Sequence, residues 1–270
     1  MFTVLGAAGF IGSALVTALR RRGTDVAVVN RAVLPDLLAD RAPAGHVIDC
    51  IGLTGDFRAR PLDSADAHVG VVVRCLADLR FDSFLLLSST RVYARADTTH
   101  EDAPLPVMPS DPSDLYNLSK LAGEALCLAD RRPAVRVARL SNTYGDAMPA
   151  QTFLGELLRE GRARGAVTFR QGPDSEKDYV SLPAVVRLLP LIAAAGRHRL
   201  YNVAAGVNTS HAAIARCLHE TAGWACDFVP DAPTIAHPTI DTRRLDAEFG
   251  TADSLLLADL PSLLSQDQPC

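Results

Sequence analysis

The 270-residue sequence is poor in aromatic side chains (6%) and has no basic excess, since 27 Lys and Arg face 31 Asp and Glu for a formal charge of −4. Such a balance advertises no surface for nucleic acid, and none is expected as a partner. The six cysteines, Cys50, Cys75, Cys127, Cys217, Cys226 and Cys270, include no C-x-x-C pair. That spacing argues against a zinc or dithiol site and against a disulfide framework. Reduced thiols in a cytoplasmic protein are expected. The histidines form no H-x-x-x-H or H-E-x-x-H arrangement, so no metal centre is expected. With 18 glycines, 17 prolines and 48% apolar residues, the chain is neither low-complexity nor disordered.

A membrane segment is also lacking. Met1–Leu19 is uncharged and precedes Arg20, Arg21 and Arg22, close to the ~20 residues that span a bilayer. A signal peptide would carry its positive charge before the apolar run. Gly6, Gly9 and Gly12 interrupt the run, and Ile11, Ala14, Leu15, Ala18 and Leu19 share one helical face. The segment therefore reads as strand, turn and half-buried helix.

At ~150 residues per domain the length fits one large domain or two small ones. Short apolar runs at Phe2–Leu5, Asp25–Asn30, His46–Ile51, Phe84–Leu87 and Val135–Leu140 predict strands. Helices are predicted at Gly12–Arg22, Ser64–Leu79 and Leu118–Asp130, the middle one with an apolar stripe of Val69, Val72, Val73 and Leu76. This alternation predicts an α/β fold, a doubly wound parallel sheet of Rossmann type. After Leu140 the pattern thins to helices near Thr152–Arg164 and Ser210–Thr221, a helix at Leu182–Ala195 disturbed by Pro190, and a strand at Leu200–Val203. The expected division is a dinucleotide-binding domain over 1–145, to which 177–205 returns. A substrate-binding lobe would then comprise 146–176 and 206–270.

The first strand runs into Gly6-Ala7-Ala8-Gly9-Phe10-Ile11-Gly12 and then a helix. Glycines in that context permit a tight turn and close approach to a pyrophosphate, which the helix N-terminus attracts. At the end of the second strand an acidic residue would select NAD. Here Asn30 and Arg31 occupy that place. A guanidinium suits a 2′-phosphate, so NADP(H) is favoured over NAD(H), unless Arg31 is only a surface charge.

Ser88-Ser89-Thr90-Arg91-Val92-Tyr93 follows the strand Phe84–Leu87, at the end where open α/β sheets bind ligands. Tyr116-Asn117-Leu118-Ser119-Lys120 places Tyr116 and Lys120 on one helical face. A phenol titrates near ~10, and a neighbouring ammonium is expected to lower that value. Tyr116 would then exchange a proton while a serine hydroxyl orients the reacting oxygen. A loop bearing Asp56, Arg58 and Arg60 reads equally well as substrate-facing or as solvated.

These elements, in this order, resemble the short-chain dehydrogenase/reductase superfamily, and specifically its extended branch acting on nucleotide-sugars. Glu101-Asp102-Ala103-Pro104-Leu105, Arg139-Leu140-Ser141-Asn142-Thr143-Tyr144-Gly145, Lys177-Asp178-Tyr179-Val180, Tyr201-Asn202-Val203 and Asp241-Thr242-Arg243-Arg244-Leu245 are similar to further motifs of that branch. The resemblance implies Ser89, Tyr116 and Lys120 as catalytic residues. It implies Gly6, Gly9, Phe10, Ile11, Gly12, Asn30, Arg31, Ile51, Gly52, Tyr116 and Lys120 at the cofactor, and Thr90, Arg91, Asn142 and Lys177 at the substrate. It also implies a homodimer through the helix containing Val69–Leu76 and the one bearing Lys120.

Three departures stand out. Asp49-Cys50-Ile51-Gly52 replaces the branch's H-x-A-[AG] loop, and His68 stands where an Asn is usual. The short stretch before His46 leaves no room for the usual third strand and its adenine-contacting Asp. Dehydratases of the branch place Asp and Glu after the catalytic hydroxyl, whereas this chain has Thr90 and Arg91, and Arg cannot accept a proton. The expected activity is reduction of a keto group on a nucleotide-sugar, most simply a 4-keto-sugar. A 4-epimerase with tightly held cofactor and a non-catalytic dinucleotide sensor are the alternatives.

Overall fold

The computed structural model describes residues 1–53 and 57–265; Asp56 and Cys270 lie outside them. The first half alternates as expected: β1 (Phe2–Leu5), α1 (Phe10–Arg21), β2 (Val26–Val29), α2 (Leu34–Asp40), β3 (His46–Asp49), α3 (Pro61–Ala65), α4 (Val71–Asp78), β4 (Ser83–Ser89), α5 (Asp114–Ala129) and β5 (Val135–Leu140). A single π-turn, Asp66–Gly70, joins α3 to α4, and a 3₁₀ turn, Thr90–Tyr93, follows β4. The second half contributes β6 (Asn142–Tyr144), α6 (Phe153–Arg164), β7 (Ala166–Phe169), β8 (Glu176–Ser181), α7 (Leu182–Ala195), β9 (Leu200–Val203), β10 (Asn208–Ser210), α8 (His211–Ala222), β11 (Ala225–Phe228), α9 (Arg243–Phe249) and α10 (Leu256–Ser265).

Among the described residues the main sheet has six parallel strands in the order β2-β1-β3-β4-β5-β9. The order reverses between β1 and β3, which opens a crevice beyond their C-terminal ends. Among the described residues no strand lies outside β2, in line with the short stretch before His46. Strand alternation divides the core between two faces. Leu85 and Leu87 of β4 pack with Leu15 and Leu19 of α1 and Leu188 and Ile192 of α7. Phe84 and Leu86 point the other way, to Val72 and Cys75 of α4 and Cys127 of α5.

Two expectations need correction. The buried stripe entering α4 is His68, Val71, Val72 and Cys75, while Val73 is 48% exposed. Choosing the most apolar residues turned the face by one position, because His68 is buried with hydrogen-bond partners. Helix α7 also runs unbroken through Pro190, held by the buried Leu188, Leu189 and Ile192 against the sheet.

The small strands of the second half escaped the sequence pattern. Among the described residues they form a three-stranded sheet, β10-β8-β6, and a pair, β11-β7. A separate core unites them with α6, α8 and α10 through Leu154, Leu157, Phe169, Tyr179, Ile214, Leu218 and Leu260. Phe10, from the glycine turn, packs against this second core. Helix α7 covers one face of the main sheet and β9 extends it, whereas β8 stays with the small sheet.

Candidate active site

Gly6 adopts φ +71°, a left-handed conformation suited to glycine, and a Cβ there would meet the Cys50 carbonyl carbon at 3.0 Å. A Cβ on Gly12 would clash with the Gly6 carbonyl oxygen. Helix α1 starts at Gly9 with no side-chain cap and no acidic residue in its first turn. Its first N–H groups, including those of Phe10, Ile11 and Gly12, thus face the crevice unsatisfied by the helix. Free N–H groups at a helix start, with glycines that allow close approach, can cradle a phosphate.

Beyond β2 and β3, a cleft of about 320 Å³ is lined by Arg31, Leu34, Pro35, Leu38, Ile51, Asp66, Ala67, Val71 and Arg74. The Asn30 side-chain oxygen accepts from the Ala32 and Val33 N–H groups at 2.9 and 3.1 Å. That turn holds Arg31, exposed, at the rim. Sequence reasoning missed Arg74, whose guanidinium pairs with Asp66 at 3.0 Å in the same cleft. The lone signal for it was a basic residue on a helix that seemed purely structural.

The opposite end holds the proton-handling groups. Helix α5 buries Tyr116 and Lys120, 4% and 6% exposed. Ser89, at the end of β4, faces the phenol and favours its charged form, as does Arg91. Burial outweighs both and raises the Tyr116 pKa above its usual value. The expected lowering by the neighbouring ammonium is therefore not met. The Lys120 ammonium donates to the Leu87 carbonyl at 2.9 Å, 6.0 Å from the phenol ring centroid. Burial brings Lys120 down to about 8, opposed first by Asp49 and then by Glu124. Asp49 itself is pushed up to about 6 by burial. Its Oδ1 accepts from the Ile51 N–H at 2.9 Å, while Oδ2 is buried without a partner.

His68 ties these pieces together. Its Nε2 accepts from the Leu53 N–H at 3.3 Å, so Nδ1 carries the proton and donates to Ser119 Oγ at 2.8 Å. Ser119 in turn donates to the Tyr116 carbonyl at 2.9 Å. A Cβ on Gly52 would stand 3.5 Å from both His68 Nε2 and Lys120 Nζ, so the loop after β3 lies directly against α5. Burial lowers His68 to about 3, which keeps it neutral. Its place in a π-turn fits the frequent use of such turns at functional sites.

Facing Tyr116 are residues the sequence only partly indicated. Phe57, 2% exposed, packs tilted against the Tyr116 ring, centroids 5.4 Å apart. Arg58 lies 4.5 Å over Phe57 and donates to Ser113 Oγ at 2.9 Å, while Arg60 pairs with Asp63 at 2.7 Å. Thr90 opens the turn that carries Arg91. Lys177 lies 4.7 Å over Phe153, close enough to Arg91 for the two charges to repel. Asn142 donates one of its two amide N–H bonds to the Asp178 carbonyl at 2.8 Å and is otherwise exposed.

The parallel sheet and its glycine turn define an NAD(P)-dependent oxidoreductase of the extended short-chain dehydrogenase/reductase class. More narrowly, residues 2–204 match the NAD dependent epimerase/dehydratase family, and the chain belongs to that family. A dTDP-4-dehydro-6-deoxy-D-allose reductase from Streptomyces bikiniensis is 23% identical over 262 residues, covering 82% of this chain and 80% of its own. The structure of MoeE5 in complex with UDP-glucuronic acid and NAD is 26% identical, with TM-score 0.77 and 95% of each chain covered. RMD from Pseudomonas aeruginosa, complexed with NADPH, has the same fold at 22% identity and TM-score 0.77, covering 98% of this chain and 99% of its own. No helix among the described residues is long and apolar enough to cross a membrane.

Proposed function

We propose that this protein is an NADP(H)-dependent reductase of a keto group on a nucleotide-sugar, of the 4-keto-sugar type. The observation that carries the reading is the buried Tyr116 on α5, with Ser89 facing its phenol and Lys120 one turn further on. A bound nicotinamide dinucleotide supplies the hydride. The carbonyl oxygen becomes basic as hydride reaches its carbon, and Tyr116 gives it a proton while Ser89 orients it. Lys120 holds positive charge beneath the phenol and can hydrogen-bond a cofactor ribose. Gly6, Gly9, Phe10, Ile11 and Gly12 would hold the pyrophosphate, with Ile51 and Gly52 flooring the other half.

Arg31 at the rim of the adenosine cleft supports NADP(H) over NAD(H), and Arg74 adds a second cation there. The Streptomyces relative, a reductase of a 4-keto nucleotide-sugar, supports the reaction. The substrate would lie between the main sheet and the second-half core, with Arg91 and Lys177 toward its charged groups. Exposed Val73, Leu126 and Leu128 on α4 and α5 support a homodimer through these helices.

The deciding experiment follows NADPH absorbance during incubation with UDP-, dTDP- and GDP-linked 4-keto-sugars. Stoichiometric loss of NADPH is expected. Interconversion of two sugars with no net loss would make the protein an epimerase, and cofactor binding without turnover of any sugar would make it a sensor.

A further inference from the structure

We propose that the sugar presented to Tyr116 carries a carboxylate beside its carbonyl carbon, and that Arg91 binds this carboxylate. The inference rests on the reading of the site as one for a nucleotide-sugar. Arg91 is held in place: its backbone N–H donates to Ser89 Oγ at 3.2 Å, and its guanidinium lies 5.2 Å from the Phe57 ring and 5.5 Å from the Tyr116 ring. Among the described residues no carboxylate pairs with it. The nearby Asp111 and Asp114 are taken by Arg95 at 2.5 and 3.1 Å, and Asp114 also accepts from the Met108 N–H and from Asn117. What remains to Arg91 is a 3.5 Å contact with the Ser113 carbonyl, too long for a strong hydrogen bond.

Arg58 repels this guanidinium directly and Lys177 shares its field, whereas Asp111 and Asp114 attract it only from outside contact, across their own pairing with Arg95. A half-buried guanidinium with no carboxylate in contact is costly unless an anion arrives to pair with it. Position identifies that anion. The diphosphate of a nucleotide-sugar is attached at the anomeric carbon, across the ring from a 4-carbonyl. A group reaching a cation that flanks Tyr116 therefore belongs to the carbon next to the carbonyl. Lys177 of β8, a point charge over Phe153, remains for the diphosphate. The planar fork of Arg91 matches the two oxygens of a carboxylate.

The test measures calorimetric affinities of the enzyme–NADPH complex for matched nucleotide-hexuronates and nucleotide-hexoses, in the UDP, dTDP and GDP series. In one series the uronate is expected to bind ~10- to 100-fold more tightly than the neutral sugar. Arg91→Met should erase that preference and Arg91→Lys should retain part of it. Equal affinities of the wild-type protein for the two sugars would overturn the inference while leaving the reductase reading intact. So would an Arg91→Met variant that binds both sugars more weakly by one factor, which would assign Arg91 to the diphosphate. Failure of every nucleotide-sugar to bind would instead overturn the underlying reading. The wild-type comparison stands alone should the methionine variant not fold.

Discussion

Glu124 and Arg139 offer a test of what holds helix α5 to the sheet. Both are almost fully buried, with side chains 3% and 4% exposed. Arg139 Nη2 donates to Glu124 Oε2 at 2.6 Å, and Nε donates to both carboxylate oxygens at 3.1 Å. Ser88 also donates to Glu124, and Arg139 Nη1 reaches Tyr93 at 2.6 Å. The pair thus joins α5 to β4 and β5, one helical turn beyond Lys120. Glu124→Gln keeps the shape and removes the negative charge, leaving a buried guanidinium uncompensated. Breaking one side of such a pair costs about 3–5 kcal/mol. In a chain of this size that lowers Tm by roughly 6–20 °C. Replacing both partners, as Glu124→Leu with Arg139→Met, removes the stranded charge and should be more stable than either single variant by about 2 kcal/mol. Thermal and denaturant unfolding of the four proteins measures the coupling. A single variant within about 1 kcal/mol of wild type, or strictly additive effects, would show that the pair does not hold α5 to the sheet.

Tyr116→Phe is expected to lower kcat by ~10²- to 10⁴-fold, and Ser89→Ala by ~10²-fold, in the NADPH absorbance assay; full turnover by the phenylalanine variant would make Tyr116 structural. Arg31→Ala should weaken NADPH by about tenfold and leave NADH unchanged, and equal loss for both cofactors in parallel titrations would remove the 2′-phosphate contact. Lys120 titrates at about 8 when folded against 10.5 in the free side chain, so between these values the unfolded chain holds the extra proton. Its contribution to stability is full above pH 10.5 and lost as pH falls through about 8. Across that window wild type should gain about 3 kcal/mol relative to Lys120→Met, and unfolding curves of constant separation from pH 8 to 10.5 would contradict the burial argument.

The legible parts of the molecule were those with a strong local period. β1, β5 and β9 match the predicted residues, and the glycine turn lies where a strand feeds a helix. Tyr116, Lys120 and Ser89 were legible because helix spacing and a strand end place them with no knowledge of packing. The strands of the second half were not. Asn142–Tyr144, Ala166–Phe169 and Glu176–Ser181 are three to six residues long and mix polar with apolar side chains. They pair only across long sequence separations, such as Asn208 with Asp178. Phe57 was overshadowed by the charged residues around it, although burial against Tyr116 decides its role. The upward shift of the Tyr116 phenol was hidden because desolvation, unlike spacing, depends on everything that surrounds the ring.

Because the described sheet ends at β2, the cleft beside Arg31 lies at the sheet's edge, between β2, α2 and α4. On the proposed reading, a dinucleotide seated there would have little protein to push aside as it leaves. Its residence time would be set by a few rim contacts, chiefly those of Arg31 and Arg74, and by salt. Such a margin would suit an enzyme that exchanges its spent carrier at each cycle better than a buried berth.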